Sequence, residues 1–81
     1  MKRAPHTEKK KAFGKKVREI RKAKGLSQLK LAHLVDIELS TLNRIELGKA
    51  GTSLATIFAL SEILEVPPKA FFEFEIAPKG K

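Results

Sequence analysis

Cysteine is absent from this chain, which excludes a disulfide framework and any thiolate metal site. The two histidines, His6 and His33, lie far apart with no cluster of ligating residues beside either, so no metal is expected. Tryptophan and tyrosine are missing too, which weighs against a surface built to stack single-stranded bases. No apolar run approaches the ~20 residues of a membrane span. The basic N-terminus is not followed by the apolar segment of a secretory signal. A soluble cytoplasmic protein with no membrane contact is therefore expected. The pattern holds no nucleophile–base pair, no carboxylate pair and no phosphate-binding glycine loop, so neither an enzyme nor a cofactor is expected.

What the chain does have is positive charge, unevenly placed. Its 81 residues allow one domain with a small core. Of 17 Lys and Arg, twelve fall in residues 1–30 against only Glu8 and Glu19, a local balance of +10. Residues 31–81 carry five bases against seven acids, a balance of −2. Such concentration suits a phosphate-rich partner, and equally a solvated face beside a disordered tail.

Periodicity predicts five helices and no strand. Residues 1–11, MKRAPHTEKKK, read as a disordered basic arm. Phe13, Val17 and Ile20 mark one face of a first helix, which ends at Lys24-Gly25. Ser27 is a good N-cap for a second helix with Leu31, Ala32 and Val35 inward. Leu42 and Ile45 mark the inward face of a third helix, which Gly48 ends. Thr52 or Ser53 caps a fourth, whose Leu54, Ile57, Phe58, Leu60, Ser61 and Leu64 cover a wide arc. Val66-Pro67-Pro68 breaks the chain, and Pro68 suits the first turn of a short fifth helix carrying Phe71 and Phe72. Residues 12–74 form the expected domain, and residues 75–81 a flexible tail.

The stretch from about residue 27 to 46 carries the most information. Two short amphipathic helices joined by a tight turn can cross steeply only where the contact residue is small, and Ala32 supplies that residue. Val35 and Ile37 cover the crossing, while Leu42 and Ile45 face the same core. Glu38, Leu39, Ser40, Thr41, Asn43 and Arg44 are left on the outer rim. Arginine can bond guanine O6 and N7 together, leucine can pack on a thymine methyl, and Ser or Asn can bond bases or phosphates. The same pattern also fits an ordinary helical hairpin with a wet face. As a helix-turn-helix, it would lay the second of these helices, about residues 38–46, in the major groove.

From Phe13 to about Phe72 the chain closely resembles the phage repressor and Cro family of helix-turn-helix domains, the XRE family. The matching residues are Arg21, Gly25, Leu26, Ser27, Gln28, Leu31 and Ala32 in VREIRKAKGLSQLKLA, then Leu42, Ile45, Glu46 and Gly48 in LNRIELGK. Leu54, Ile57, Leu60, Leu64, Val66 and Phe72 follow. The resemblance implies an all-α, compact five-helix bundle of the lambda-repressor-like type. It also implies a transcriptional regulator that binds double-stranded operator DNA as a dimer. At matching positions, Glu38, Leu39, Ser40 and Arg44 face base edges. Gln28 and Lys49 meet phosphate, and Thr41 and Asn43 reach bases or backbone. The family's ion pair between the first and third helices falls on Arg21 and Glu46.

Three residues depart from the family pattern. Asp36 stands for a turn glycine, Glu38 for the usual Ser or Thr cap, and Glu65 for a helix-ending glycine. Glu38 puts an acid at the mouth of the groove, able to accept from cytosine N4 or to repel phosphate. Four of the five phenylalanines lie in the C-terminal part. Phe72 is assigned to the monomer core, and Phe58, Phe71 and Phe74 to a homodimer interface. The basic arm, with Lys2, Arg3, Lys9, Lys10 and Lys11, reads either as wrapping the duplex or entering a minor groove, or as a solubilising tail. An adapter or antitoxin that uses the same fold to bind a protein partner is the alternative function.

Overall fold

A computed structural model describes residues 7–74. Four α-helices, α1 (Thr7–Ala23), α2 (Gln28–Val35), α3 (Leu39–Glu46) and α4 (Leu54–Leu64), are followed by a closing 3-10 helix, Pro68–Phe72. The expected fifth helix is thus 3-10, not α. Five residues are too few to propagate an α ladder, and short terminal turns commonly take the 3-10 form. No strand occurs among the described residues.

Helix α1 starts earlier than the charge pattern suggested. Residues 7–11, assigned to a disordered arm, form its first turns. Lys, Glu and Ala are strong helix formers, and Glu8 sits in the first turn, where a carboxylate complements the helix dipole. The remainder of the arm, residues 1–6, and the tail, residues 75–81, lie outside the described residues.

The caps follow from local chemistry. The Ser27 hydroxyl accepts from the Lys30 amide at 3.0 Å, and that of Ser53 accepts from the Thr56 amide at 3.1 Å. Glu38 caps α3 without any side-chain hydrogen bond, as expected of the longer acid. Asp36 and Glu65 both adopt left-handed backbone, with φ of 61° and 58°, at the ends of α2 and α4. Each stands where the family pattern has glycine, and each does what that glycine would do.

The core brings together Val17, Leu31, Ala32, Val35, Leu42, Leu60, Leu64 and Phe71, and Ile45 is buried as well. Helix α1 packs against α3 and the 3-10 helix, while α2 packs against α3 and α4. Two aromatic assignments are reversed. Phe71, expected at a dimer interface, is fully buried, with its ring edge-on to Phe13 at 5.8 Å. Phe72, expected in the core, is 50% exposed, lying between Phe13 and Phe74. An α-helical reading of Pro68–Phe72 rotates each residue by about 100°, whereas a 3-10 turn rotates it by about 120°. Neighbouring residues thus point at least about 100° apart on either turn, so the two rings cannot both face the core, and the inward place falls to Phe71. On α4, Leu60 and Leu64 are buried while Leu54 and Phe58 are exposed, so the inward arc is narrower than expected.

Candidate nucleic-acid interface

The turn between α2 and α3 is closed by the backbone. The Asp36 amide donates to the His33 carbonyl at 3.2 Å, and the Ile37 amide donates to the Ala32 carbonyl at 3.0 Å. Ala32 is buried at the crossing and Ile37 is half-buried over the turn. Helix α3 then sorts its residues by face. Leu42, Ile45 and Glu46 are buried, and Leu39, Ser40, Thr41, Asn43 and Arg44 are exposed, with Glu38 exposed just before them. A shallow groove at the helix mouth is lined by Leu29, His33, Asp36, Glu38, Leu39 and Thr41.

A polar network fixes α3 from behind. Arg21 grips Glu46 with two nitrogens, Nε to Oε2 at 2.7 Å and Nη2 to Oε1 at 3.0 Å, both side chains being buried. The third guanidinium nitrogen donates to the Leu26 carbonyl at 2.9 Å. Such planar, paired geometry is what arginine offers and lysine does not. Gln28 extends the chain, its Nε2 donating to Glu46 Oε1 at 2.9 Å. Its Oε1 faces the Asn43 amide at the long distance of 3.5 Å. The network therefore ties α1, the first residue of α2 and the last turn of α3. Gln28 is half-buried and committed inward through one N–H, which leaves its second for an outside acceptor.

On the outer face, charge is uncommitted. The Arg44 side chain makes no hydrogen bond or ion pair among the described residues, and the same holds for Lys49 just beyond α3. His33 is exposed. The described residues contain no group of three or more His, Asp or Glu able to hold a metal ion, and no helix long and apolar enough to cross a membrane.

Sequence reasoning passed over one residue that sets this geometry, Gly14. A Cβ built there would overlap the Ile45 carbonyl oxygen and approach that of Glu46 to 2.7 Å. The backbones of α1 and α3 touch at this point, directly behind the exposed rim. The available signal was a lone glycine inside a helical pattern, which costs helix propensity unless something packs against it.

Two short helices, α2 and α3, joined by a tight backbone-closed turn, with the second fixed from behind and exposed in front, define a helix-turn-helix domain. Comparison with known proteins agrees. The helix-turn-helix family profile matches residues 17–71, and the chain belongs to that family. It is 43% identical over 56 residues to the uncharacterized HTH-type transcriptional regulator RghRB of Bacillus subtilis (strain 168), covering 68% of this chain and 40% of that one. The chain thus spans well under half the length of that curated relative. Among solved structures, it is similar to the restriction-modification controller protein C.AhdI from Aeromonas hydrophila, with 37% identity and a TM-score of 0.78. That match covers 80% of this chain and 98% of the other. An HTH_3 family transcriptional regulator from Vibrio cholerae matches with 29% identity and a TM-score of 0.75, over 82% of this chain and 37% of that one.

Proposed function

We propose that this chain is a sequence-specific, double-stranded DNA-binding transcriptional regulator that lays α3 in the major groove. The observation that carries this reading is the two-sidedness of α3, with Leu42, Ile45 and Glu46 committed to the fold, Leu39, Ser40, Thr41 and Arg44 free of it, and Asn43 exposed with only a long contact to Gln28. Glu38, Leu39, Ser40 and Arg44 read base edges in this account. Thr41 and Asn43 reach bases or backbone, and Gln28 and Lys49 hold phosphate. Relatives named as transcriptional regulators and as a restriction-modification controller support it.

The regulator acts as a homodimer in this reading. Leu54 and Phe58, four apart on one face of α4, are 69% and 53% exposed, and Phe72 adds a half-exposed ring on the closing turn. Exposed apolar side chains of this size suit a second copy of the chain. The interface set becomes Phe58, Phe72 and Phe74, since Phe71 is committed to the core.

Selection of bound duplexes from a random pool tests both statements. A dimer returns a palindrome with half-sites about one helical turn, ~34 Å, apart. A selected site without two-fold symmetry would sink the dimer, and failure to enrich any sequence would sink specific binding. On the selected site, Arg44→Ala is expected to weaken binding by about 1–3 kcal/mol and to relax preference at one base position. Equal weakening on all sequences would make Arg44 a phosphate contact instead.

A further inference from the structure

Lys10 and Lys11, assigned by charge pattern to a free arm, sit in the first turns of α1 against the loop that follows α3. A Cβ built on Gly48 would stand 2.6 Å from the Cα of Lys11 and 2.6 Å from its Cγ. One built on Gly51 would be 4.0 Å from the Cδ of Lys10. Residues 48–51 therefore run along α1 at these two lysines, with the exposed Lys49 between the glycines. Gly48 is buried, with φ of 77°, so a side chain there would meet both backbone strain and the body of α1. Among the described residues the ion pairs are Lys16–Glu19 and Arg21–Glu46, so none of these three lysines has a carboxylate partner.

We propose that Lys10, Lys11 and Lys49 form a preformed cradle for the DNA phosphate backbone at the groove wall beyond the C-terminal end of α3. This deepens the DNA-binding reading and rests on it. An eight-residue helix is about 12 Å long, and the major groove is about 12 Å wide. With the outer face of α3 in the groove, the loop after it comes to the wall, where the phosphates lie. Lysine suits such a contact because it is a point charge on a flexible stem and needs no fixed geometry. The backbone beneath all three is set by folding, so binding orders only the side-chain ends, whereas a free arm must also order its backbone. A competing role is purely structural: cations near the C-terminal end of α3 offset the negative end of its dipole.

The salt dependence of binding separates these roles. The full chain, Lys10→Gln/Lys11→Gln and Lys49→Gln are titrated onto a mixed-sequence DNA duplex between about 50 and 200 mM salt, with thermal unfolding measured alongside. Each lysine that meets phosphate should lower the slope of log affinity against log salt by about 0.9, with the unfolding midpoint unchanged. An unchanged slope in Lys10→Gln/Lys11→Gln overturns the cradle, most pointedly if the midpoint falls and so reveals a dipole role. If that slope stays put while Arg44→Ala still alters sequence preference, the cradle alone fails. Absence of duplex binding by the unmodified chain overturns the DNA reading and the cradle together.

Discussion

The two sides of this small bundle are held by different forces. Behind α3, the fold relies on direction: a bidentate buried ion pair, a glutamine bridging to it, and a backbone contact at Gly14 that admits no side chain. At the closing turn it relies on apolar burial, with Phe71 enclosed among Phe13, α4 and the rest of the core. Hydrogen bonds and close backbone contacts fix orientation. Apolar burial is nondirectional and contributes most of the free energy. The side that presents the proposed reading surface is the side with fixed orientation. In physical terms, the aromatic end keeps the molecule folded and the polar network aims α3.

The largest expected effect tests the apolar side. Phe71→Ala should cost about 3–5 kcal/mol, as for a fully buried aromatic. Phe72→Ala should cost the monomer only about 1 kcal/mol through its ring contacts with Phe13 and Phe74. Urea unfolding of both variants checks the pair. Equal losses would mean that the two rings share the core and that the inward–outward assignment fails.

Gly14→Ala breaks the directional side, with an informative sign. Helix propensity alone predicts a gain of about 1 kcal/mol at an interior helical glycine. The overlap with the α3 backbone predicts the reverse, a net loss of roughly 1–3 kcal/mol, as for overpacking. A raised unfolding midpoint would refute the close approach of α1 to α3. If the variant folds, the same shift should weaken binding to the selected duplex more than Phe72→Ala does, because it displaces the helix proposed to read it.

These contrasts explain which features were legible in the sequence. Val17, Leu31, Ala32, Val35, Leu42, Ile45, Leu60 and Leu64 announce themselves by helical spacing, and all are buried. Ser27, Ser53 and Gly48 mark helix ends through chemistry that acts over three or four residues. The features that escaped depend on distant partners. Gly14 looks like a poor helix residue until α3, some thirty positions later, is laid against it. The inward turn of Gln28 needs Glu46, 18 residues away. Lys10 and Lys11 look like a solvated run because their charge says nothing of the loop on which their stems rest. The order of Phe71 and Phe72 is decided by where the closing turn meets α1 and α4, which adjacent phenylalanines in a sequence do not reveal.

The smallest expected effect compares two helix ends that share one conformation. Asp36 and Glu65 both hold φ near 60°, and neither side chain makes a hydrogen bond among the described residues. Left-handed backbone costs an L residue roughly 1–2 kcal/mol, less for Asp, whose short polar side chain tolerates it better. Glycine removes that strain but adds freedom to the unfolded chain, a cost of about 0.4–1 kcal/mol. Glu65→Gly is therefore expected to stabilise by up to about 1 kcal/mol, and Asp36→Gly by less or not at all. Urea midpoints at unchanged m-value check this ordering. Equal gains at both sites would show that the aspartate in the helix-turn-helix turn is as strained as the glutamate, and that the turn stores energy next to α3. The expected inequality instead makes Asp36 an adequate substitute for glycine, leaving the orientation of α3 to the ion pair and to Gly14.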